Sequence, residues 1–179
     1  MTRGLLAVLG TIVITFIAGP AYAQKAGNAG VLLRGGSVGV LWHISDNVAL
    51  RPEVAISKAS TTTTSGATEN TTDSWAANFG ASAHFYVANW NSVRAYLSPQ
   101  YHYMRGRATS TGSPDISSSS THSVAGMFGT QYVVSDRFSI FGEIGAQYAW
   151  QPKWSTSATT TTRGWQFDTK TSIGVVIYF

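Results

Sequence analysis

The closing stretch from Trp165 to Phe179 constrains the fold more than any other part of the chain. Read backwards in steps of two, Phe179, Ile177, Val175 and Ile173 form an apolar row, which runs on through Thr171 and Thr169 to Phe167 and Trp165. The intervening positions are Tyr178, Val176, Gly174, Ser172, Lys170, Asp168 and Gln166. A period of two belongs to a strand with one greasy and one polar face. Aromatics end the greasy row on both sides, and a Lys and an Asp lie opposite it. A strand held between hydrocarbon and a polar lumen reads this way.

The other end of the chain carries Met1-Thr2-Arg3, an apolar run from Gly4 to Ala18, a Gly19-Pro20 break and Ala21-Tyr22-Ala23. This charged, apolar and small-residue succession predicts a signal peptide over 1–23, cleaved so that the mature chain starts at Gln24. The alternative, a transmembrane anchor, needs about 20 apolar residues, which the run does not reach. Residues 24–179 suit one domain, and no other segment is apolar enough for a spanning helix. Charged residues make up 11% of the chain, against about 25% in a soluble domain. That deficit fits an outer surface that meets lipid. The net charge of +4 is dispersed, without a basic run or aromatic-basic interleaving, so nucleic acid is not an expected partner. A mild basic excess is at most a weak pointer to an anionic lipopolysaccharide surface. The lack of cysteine is compatible with export without requiring it.

Three segments share one plan of strand, tight polar turn, strand and Ser/Thr-rich connection. The turns are Ser45-Asp46-Asn47, Ala88-Asn89-Trp90-Asn91-Ser92 and Ser135-Asp136-Arg137. After them, Leu50-Arg51-Pro52-Glu53-Val54, Leu97-Ser98-Pro99-Gln100-Tyr101 and Ile140-Phe141-Gly142-Glu143-Ile144 align. A recurrence of about 45 residues marks a repeated supersecondary unit, here a β-hairpin. The connections are low-complexity: Ala59 to Asp73, Ala108 to Ser120 and Ser155 to Thr162. Short turns on one side and long polar connections on the other predict periplasmic turns and extracellular loops.

Parity then sorts each strand. Val48, Leu50, Pro52, Val54 and Ile56 face outward, as do Trp75, Phe79, Phe85 and Val87, then Val93, Leu97 and Tyr101. Val124, Phe128 and Tyr132 follow, then Phe138, Ile140, Ile144 and Trp150. None is charged, as a lipid face requires. Lys58 and Arg105 share the outward parity but fall at loop ends, where they reach headgroups. Phe85, Tyr132, Phe138 and Phe179 mark a periplasmic aromatic girdle, and Trp75, Tyr103, Trp150 and Trp165 an outer one. A soluble sandwich would also alternate, but it would not account for two aromatic belts, a terminal Phe and a signal together.

From Val48 onward six spanning strands are legible. Residues 25–44 supply either two more, roughly Ala26 to Leu33 and Ser37 to Ile44 hinged at Arg34-Gly35-Gly36, or one long strand from Val31 to Ile44. Two are preferred, because an open edge in lipid would leave backbone groups unpaired. The expected fold is therefore all-β, an up-and-down antiparallel transmembrane β-barrel of eight strands over 24–179.

The stretches Ile44-Ser45-Asp46-Asn47-Val48-Ala49-Leu50-Arg51-Pro52-Glu53 and Val134-Ser135-Asp136-Arg137-Phe138, with the ending Ile173-Gly174-Val175-Val176-Ile177-Tyr178-Phe179, resemble the small outer-membrane β-barrel domain family. That family includes the OmpA and OmpX barrels and opacity-type adhesins. The resemblance implies a bacterial outer-membrane address and an environment of outer-membrane lipid and lipopolysaccharide. It also implies recognition by the barrel-assembly machinery through Ile173, Val175, Ile177 and Phe179. It fixes activity hardly at all, since the family is functionally mixed.

The inward set carries the chemistry. It holds Arg51, Glu53, Arg94, Glu143, Asp168 and Lys170, with Asn78, His84, Gln100, His102, Gln131, Gln147 and Gln166 alongside. An eight-stranded barrel is only wide enough for side chains to fill. Balanced charges there are expected to pair, giving a plugged lumen in a monomer that is no general porin. A narrow pore for small or hydrophobic solutes is the alternative, and a lipid A-modifying enzyme a second. Outer-membrane lipid A deacylases place a His-x-Ser pair and a Glu on the lipid-facing wall. Here His122 and Ser123 are adjacent and point to opposite faces, so no catalytic residue is assigned. Pairing Val87 with Val93 would set His84 opposite Tyr96, about 20 Å from His102, too far for one metal. No metal or cofactor is expected. The Ser/Thr connections read either as solvated linkers or as a surface for host, phage or cell contact. Asn70-Thr71-Thr72 matches a glycosylation acceptor by chance.

Overall fold

A computed structural model describes residues 25–66, 68–111, 113–155 and 161–179. The signal segment therefore lies outside the described residues. Eight antiparallel strands close into one barrel in chain order: β1 (Ala29–Arg34), β2 (Ser37–Ser45), β3 (Val48–Ser65), β4 (Thr68–Trp90), β5 (Val93–Ser110), β6 (Ser113–Ser135), β7 (Phe138–Ser155) and β8 (Thr161–Tyr178). Closure runs through β1 and β8, with Gly30 opposite Tyr178 and Arg34 opposite Gly174. No sheet edge is left at the seam, the condition a strand must meet inside hydrocarbon.

The first hairpin exists because Gly35 and Gly36 take φ of +38° and +88°, the double left-handed turn whose twist matches its flanking strands. At the opposite rim the connections shrink to two residues, Asp46-Asn47, Asn91-Ser92 and Asp136-Arg137. Asn91 there adopts φ +45°, a conformation asparagine tolerates. The middle turn is tighter than the five-residue reading of 88–92, because β4 continues to Trp90. A bulge between Tyr86 and Ala88 absorbs the difference. Similar bulges fall at His43/Ser45 and Val133/Ser135, where barrel rims commonly end their pairing.

The barrel is inside-out. Leu32, Tyr96 and Arg51 are fully buried in the lumen, while Phe79, Phe128, Ile140 and Ile144 stand exposed on the outside. Parity predicts this sorting on β3 to β8, except at Ala95, which shares the outward parity of Val93 and Leu97 but is buried. On the wall between β5 and β8, Tyr103, His122, Trp150, Tyr148 and Trp165 lie ring against ring in one outward aromatic belt.

The polar connections depart from expectation. Ala59 to Asp73 and Ala108 to Ser120 are not loops: β3 and β4 stay paired up to Ser65 and Thr68, and β5 and β6 up to Ser110 and Ser113. β-Branched threonines favour the extended chain. Their hydroxyls add cross-strand bonds, as between Thr62 and Thr71 at 3.1 Å. The backbones of Thr71 and Thr111 then tie the two arms together at 2.9 Å. Of the third connection, Ser155 and Thr161 are strand residues, and 156–160 lie outside the described residues.

Candidate functional site

The lumen is filled in tiers. At the end with the short turns, the phenol of Tyr86 donates to Gln131 Oε1 at 2.8 Å, and Gln131 Nε2 donates to the Tyr178 oxygen at 2.8 Å. His43 lies 3.3 Å from that same oxygen. Arg94 closes this tier: its guanidinium sits 3.8 Å over the Tyr86 ring and donates to the Asp46 carbonyl. A cation over an aromatic face, with its N–H groups on a carbonyl, is a satisfied charge. Arg94 therefore belongs to a floor rather than to a charge cluster with the carboxylates.

The middle tier is built on Glu143. Its carboxylate accepts from Arg51 Nη1 at 2.7 Å, Arg34 Nη1 at 3.2 Å, Tyr96 Oη at 3.1 Å, Gln100 Nε2 at 3.3 Å and Ser172 Oγ at 2.8 Å. Arg34 also pairs with Glu53, and Arg51 Nε lies 3.6 Å from the second Glu53 oxygen. Two guanidiniums thus face two carboxylates, and the side chains of Arg51 and Glu143 are wholly buried. A buried ion pair holds only when geometry and extra hydrogen bonds offset the desolvation of both ions. Glu143 has both. Space comes from Gly129, where any Cβ would collide with the Tyr96 ring. That ring stacks on His84 at 4.3 Å.

Arg51, Glu53 and Glu143, predicted as lumen charges, come together here. Lys170 lies just above, its Nζ 3.3 Å from Gln100 Oε1 and 3.3 Å from His102 Nε2. Asp168 is not part of the cluster; its carboxylate accepts from Gln166 Nε2 at 3.0 Å. Parity puts Asp168 and Lys170 on one face, but height along a tilted strand separates them. Arg34 is the member that the sequence reading misses, since it figures there only as part of a hinge. Its shared parity with Leu32 is the available signal.

Above the cluster the lumen widens into a cavity of about 1060 Å³, with Asn78, His102, Met104 and Thr121 in its wall. Asn78 Oδ1 and Thr121 Oγ1 are buried and make no hydrogen bond among the described residues.

His122 and Ser123 point apart, as their adjacency requires. The His122 ring stacks on Trp150 at 5.5 Å and its Nδ1 lies 2.7 Å from the Tyr101 hydroxyl, outside the barrel. Ser123 is buried inside. The bulge in β4 corrects the predicted β4–β5 register: Tyr86 rather than His84 faces Tyr96, and Ser82 faces Gln100. His84 is thereby brought nearer to His102, to about 14 Å along the strand. Among the described residues no three His, Cys, Asp or Glu side chains gather to hold a metal ion.

Comparison with protein families matches residues 14–172 to the family described as outer membrane protein beta-barrel domain. No curated protein matches. Among solved structures, a major outer membrane protein from Thermus thermophilus superposes with a TM-score of 0.50 at 11% identity, covering 85% of this chain and 98% of that one. Neisserial surface protein A gives 0.46 at 19% identity, covering 85% and 94%. Ail, the attachment invasion locus protein of Yersinia pestis, gives 0.42 at 13% identity, covering 87% and 100%.

Proposed function

Since the chain belongs to the outer membrane protein beta-barrel domain family, we propose that it works as a closed, non-enzymatic monomer in the bacterial outer membrane, serving envelope integrity or surface contact. The observation that carries this reading is the Glu143 carboxylate, held by donors from β1, β3, β5 and β8 across the full width of the lumen. Side chains bonded across the bore support a closed middle tier, in a barrel of a size that side chains can fill. Purified protein in planar bilayers is expected to stay silent. Stable nanosiemens-scale openings from monomers would overturn the closed-lumen reading.

The paired arms of β3–β4 and β5–β6 favour the surface-contact half of this role. They hold their hydroxyl rows in fixed register, and a rigid display loses less entropy on binding than a mobile loop. Removing residues 60–72 while keeping the barrel is expected to reduce clumping of bacteria that produce the protein. Unchanged clumping would remove this hairpin from consideration as the contact.

A further inference from the structure

The first hairpin is too short for the wall it belongs to. β1 and β2 end at Arg34 and Ser37, opposite Gly174 of β8 and just below Val54 of β3, while β3 runs on to Ser65 and β8 begins at Thr161. Above the Gly35-Gly36 turn, no ladder joins β3 to β8 among the described residues. Two absent strand places leave a gap of about 14 Å at ordinary strand spacing. Its base is low. Gly174 lies five residues up β8 from Phe179, a rise of roughly 13 Å on strands tilted by about 40°, about half of an apolar band about 25 Å tall. The notch therefore opens into the outer leaflet, below the aromatic belt. Ile56 and Ile173, which flank it, are 72% and 73% exposed, each paired on one side only, with Ala77 of β4 and Gly142 of β7.

The cavity above the charge cluster borders this notch, with Gly35 and Ser37 at its foot, Val54 and Ala55 on the β3 side and Thr171 to Ile173 on the β8 side. It is lined by lumen residues, Glu53, Lys170 and Ser172, and by residues of outward parity, Val54 on β3, Phe128 on β6, Ile144 on β7 and Thr171 and Ile173 on β8. Lys170 has no carboxylate within ion-pair distance among the described residues, and Asn78 Oδ1 and Thr121 Oγ1 have no partner. We propose that the barrel takes a single-tailed anionic amphiphile, a long-chain carboxylate, sideways from the outer leaflet, its head beside Lys170 and its chain lying out through the gap between β3 and β8. One cation without a carboxylate partner matches one anionic head, since a charge-assisted bond gains most where water is scarce. The gap is wide enough for an acyl chain. The carboxylate also gives the buried Thr121 hydroxyl, which lines the cavity and has no partner among the described residues, an acceptor at membrane depth. The proposal needs the closed floor below neither open nor shut, so conductance does not bear on it.

The test uses the full barrel in phosphatidylcholine nanodiscs with hexadecanoic acid carrying a diazirine near its carboxylate, and the methyl ester of the same probe. Irradiation and peptide mapping are expected to find adducts of the acid on inward residues such as Met104 and Ser172. Labelling should fall about tenfold with the ester and in Lys170→Gln, and be lost in Ala55→Trp, which fills the mouth. Heat-modifiable gel mobility identifies folded variants, and Lys170→Gln alone suffices if the tryptophan variant fails to fold. Adducts confined to outward-facing residues would overturn the proposal. So would equal labelling by the ester, undiminished labelling in Lys170→Gln, or a dimer sealed along β3 and β8 that takes no probe.

Discussion

Replacing Glu143 by alanine is expected to destabilise the folded barrel by about 3–5 kcal/mol, the usual result of stripping one partner from a buried ion pair. The change leaves Arg34 and Arg51 sharing Glu53 alone, and it deprives Tyr96, Gln100 and Ser172 of their acceptor. Urea unfolding in lipid vesicles, followed by gel mobility, measures it. A second variant isolates the charge effect from simple loss of packing. Arg51→Met combined with Glu143→Leu removes one cation with one anion and keeps the Arg34–Glu53 pair. It is expected to lose less stability than Glu143→Ala alone, because no lone charge remains buried. If the double variant is the less stable of the two, the charge cluster is not what holds the middle tier together.

The outer face is equally exacting in the opposite sense. Phe128 stands 48% exposed near mid-height between the two aromatic rows. Phe128→Arg is expected to cost about 2–4 kcal/mol, the penalty for a cation on the lipid side at the bilayer midplane. Thr109 shares outward parity but lies on the polar arm of β5. There the same substitution is expected to change stability by less than about 0.5 kcal/mol, as on any aqueous surface. Both are read in the same unfolding assay. Equal effects at the two positions would mean that height above the short turns carries no information about lipid.

Much of this architecture is written in the period of two. Phe179, Ile177, Val175 and Ile173 fix the face of β8, and the Asp46-Asn47 and Asp136-Arg137 turns fix where neighbouring strands begin. The eight-strand count rests on Arg34-Gly35-Gly36 being a turn, and Gly35 and Gly36 supply the positive φ values that make it one. What parity cannot give is height. Asp168 and Lys170 share a face, yet only Lys170 reaches the tier of Gln100 and His102. Nor does parity foresee a bulge: the extra residue at Tyr86/Ala88 shifts His84 along β5 without leaving a mark in the local pattern. Arg34 is hidden by the glycines after it, which point to the turn and away from the side chain that precedes it. The Thr61 to Thr64 run looks like linker because it can bury no core. Paired arms need none when each hydroxyl row bonds across to its neighbour. The notch escapes one-dimensional reading altogether, since it arises from the difference in length between β1–β2 and their neighbours.

The central claim is that alternate side chains of every strand touch hydrocarbon while their neighbours face a shared polar interior. The chain has no cysteine, so each single-cysteine variant carries one unambiguous probe. The direct measurement is a nitroxide scan of β7 from Ser139 to Tyr148 in lipid vesicles, comparing collision with oxygen, which concentrates in lipid, and with a water-soluble nickel chelate. The account predicts oxygen accessibility that rises at Ile140, Gly142, Ile144, Ala146 and Tyr148 and falls at every residue between them. An accessibility profile without a two-residue period, or with its maxima at Phe141, Glu143 and Gln147, would contradict it.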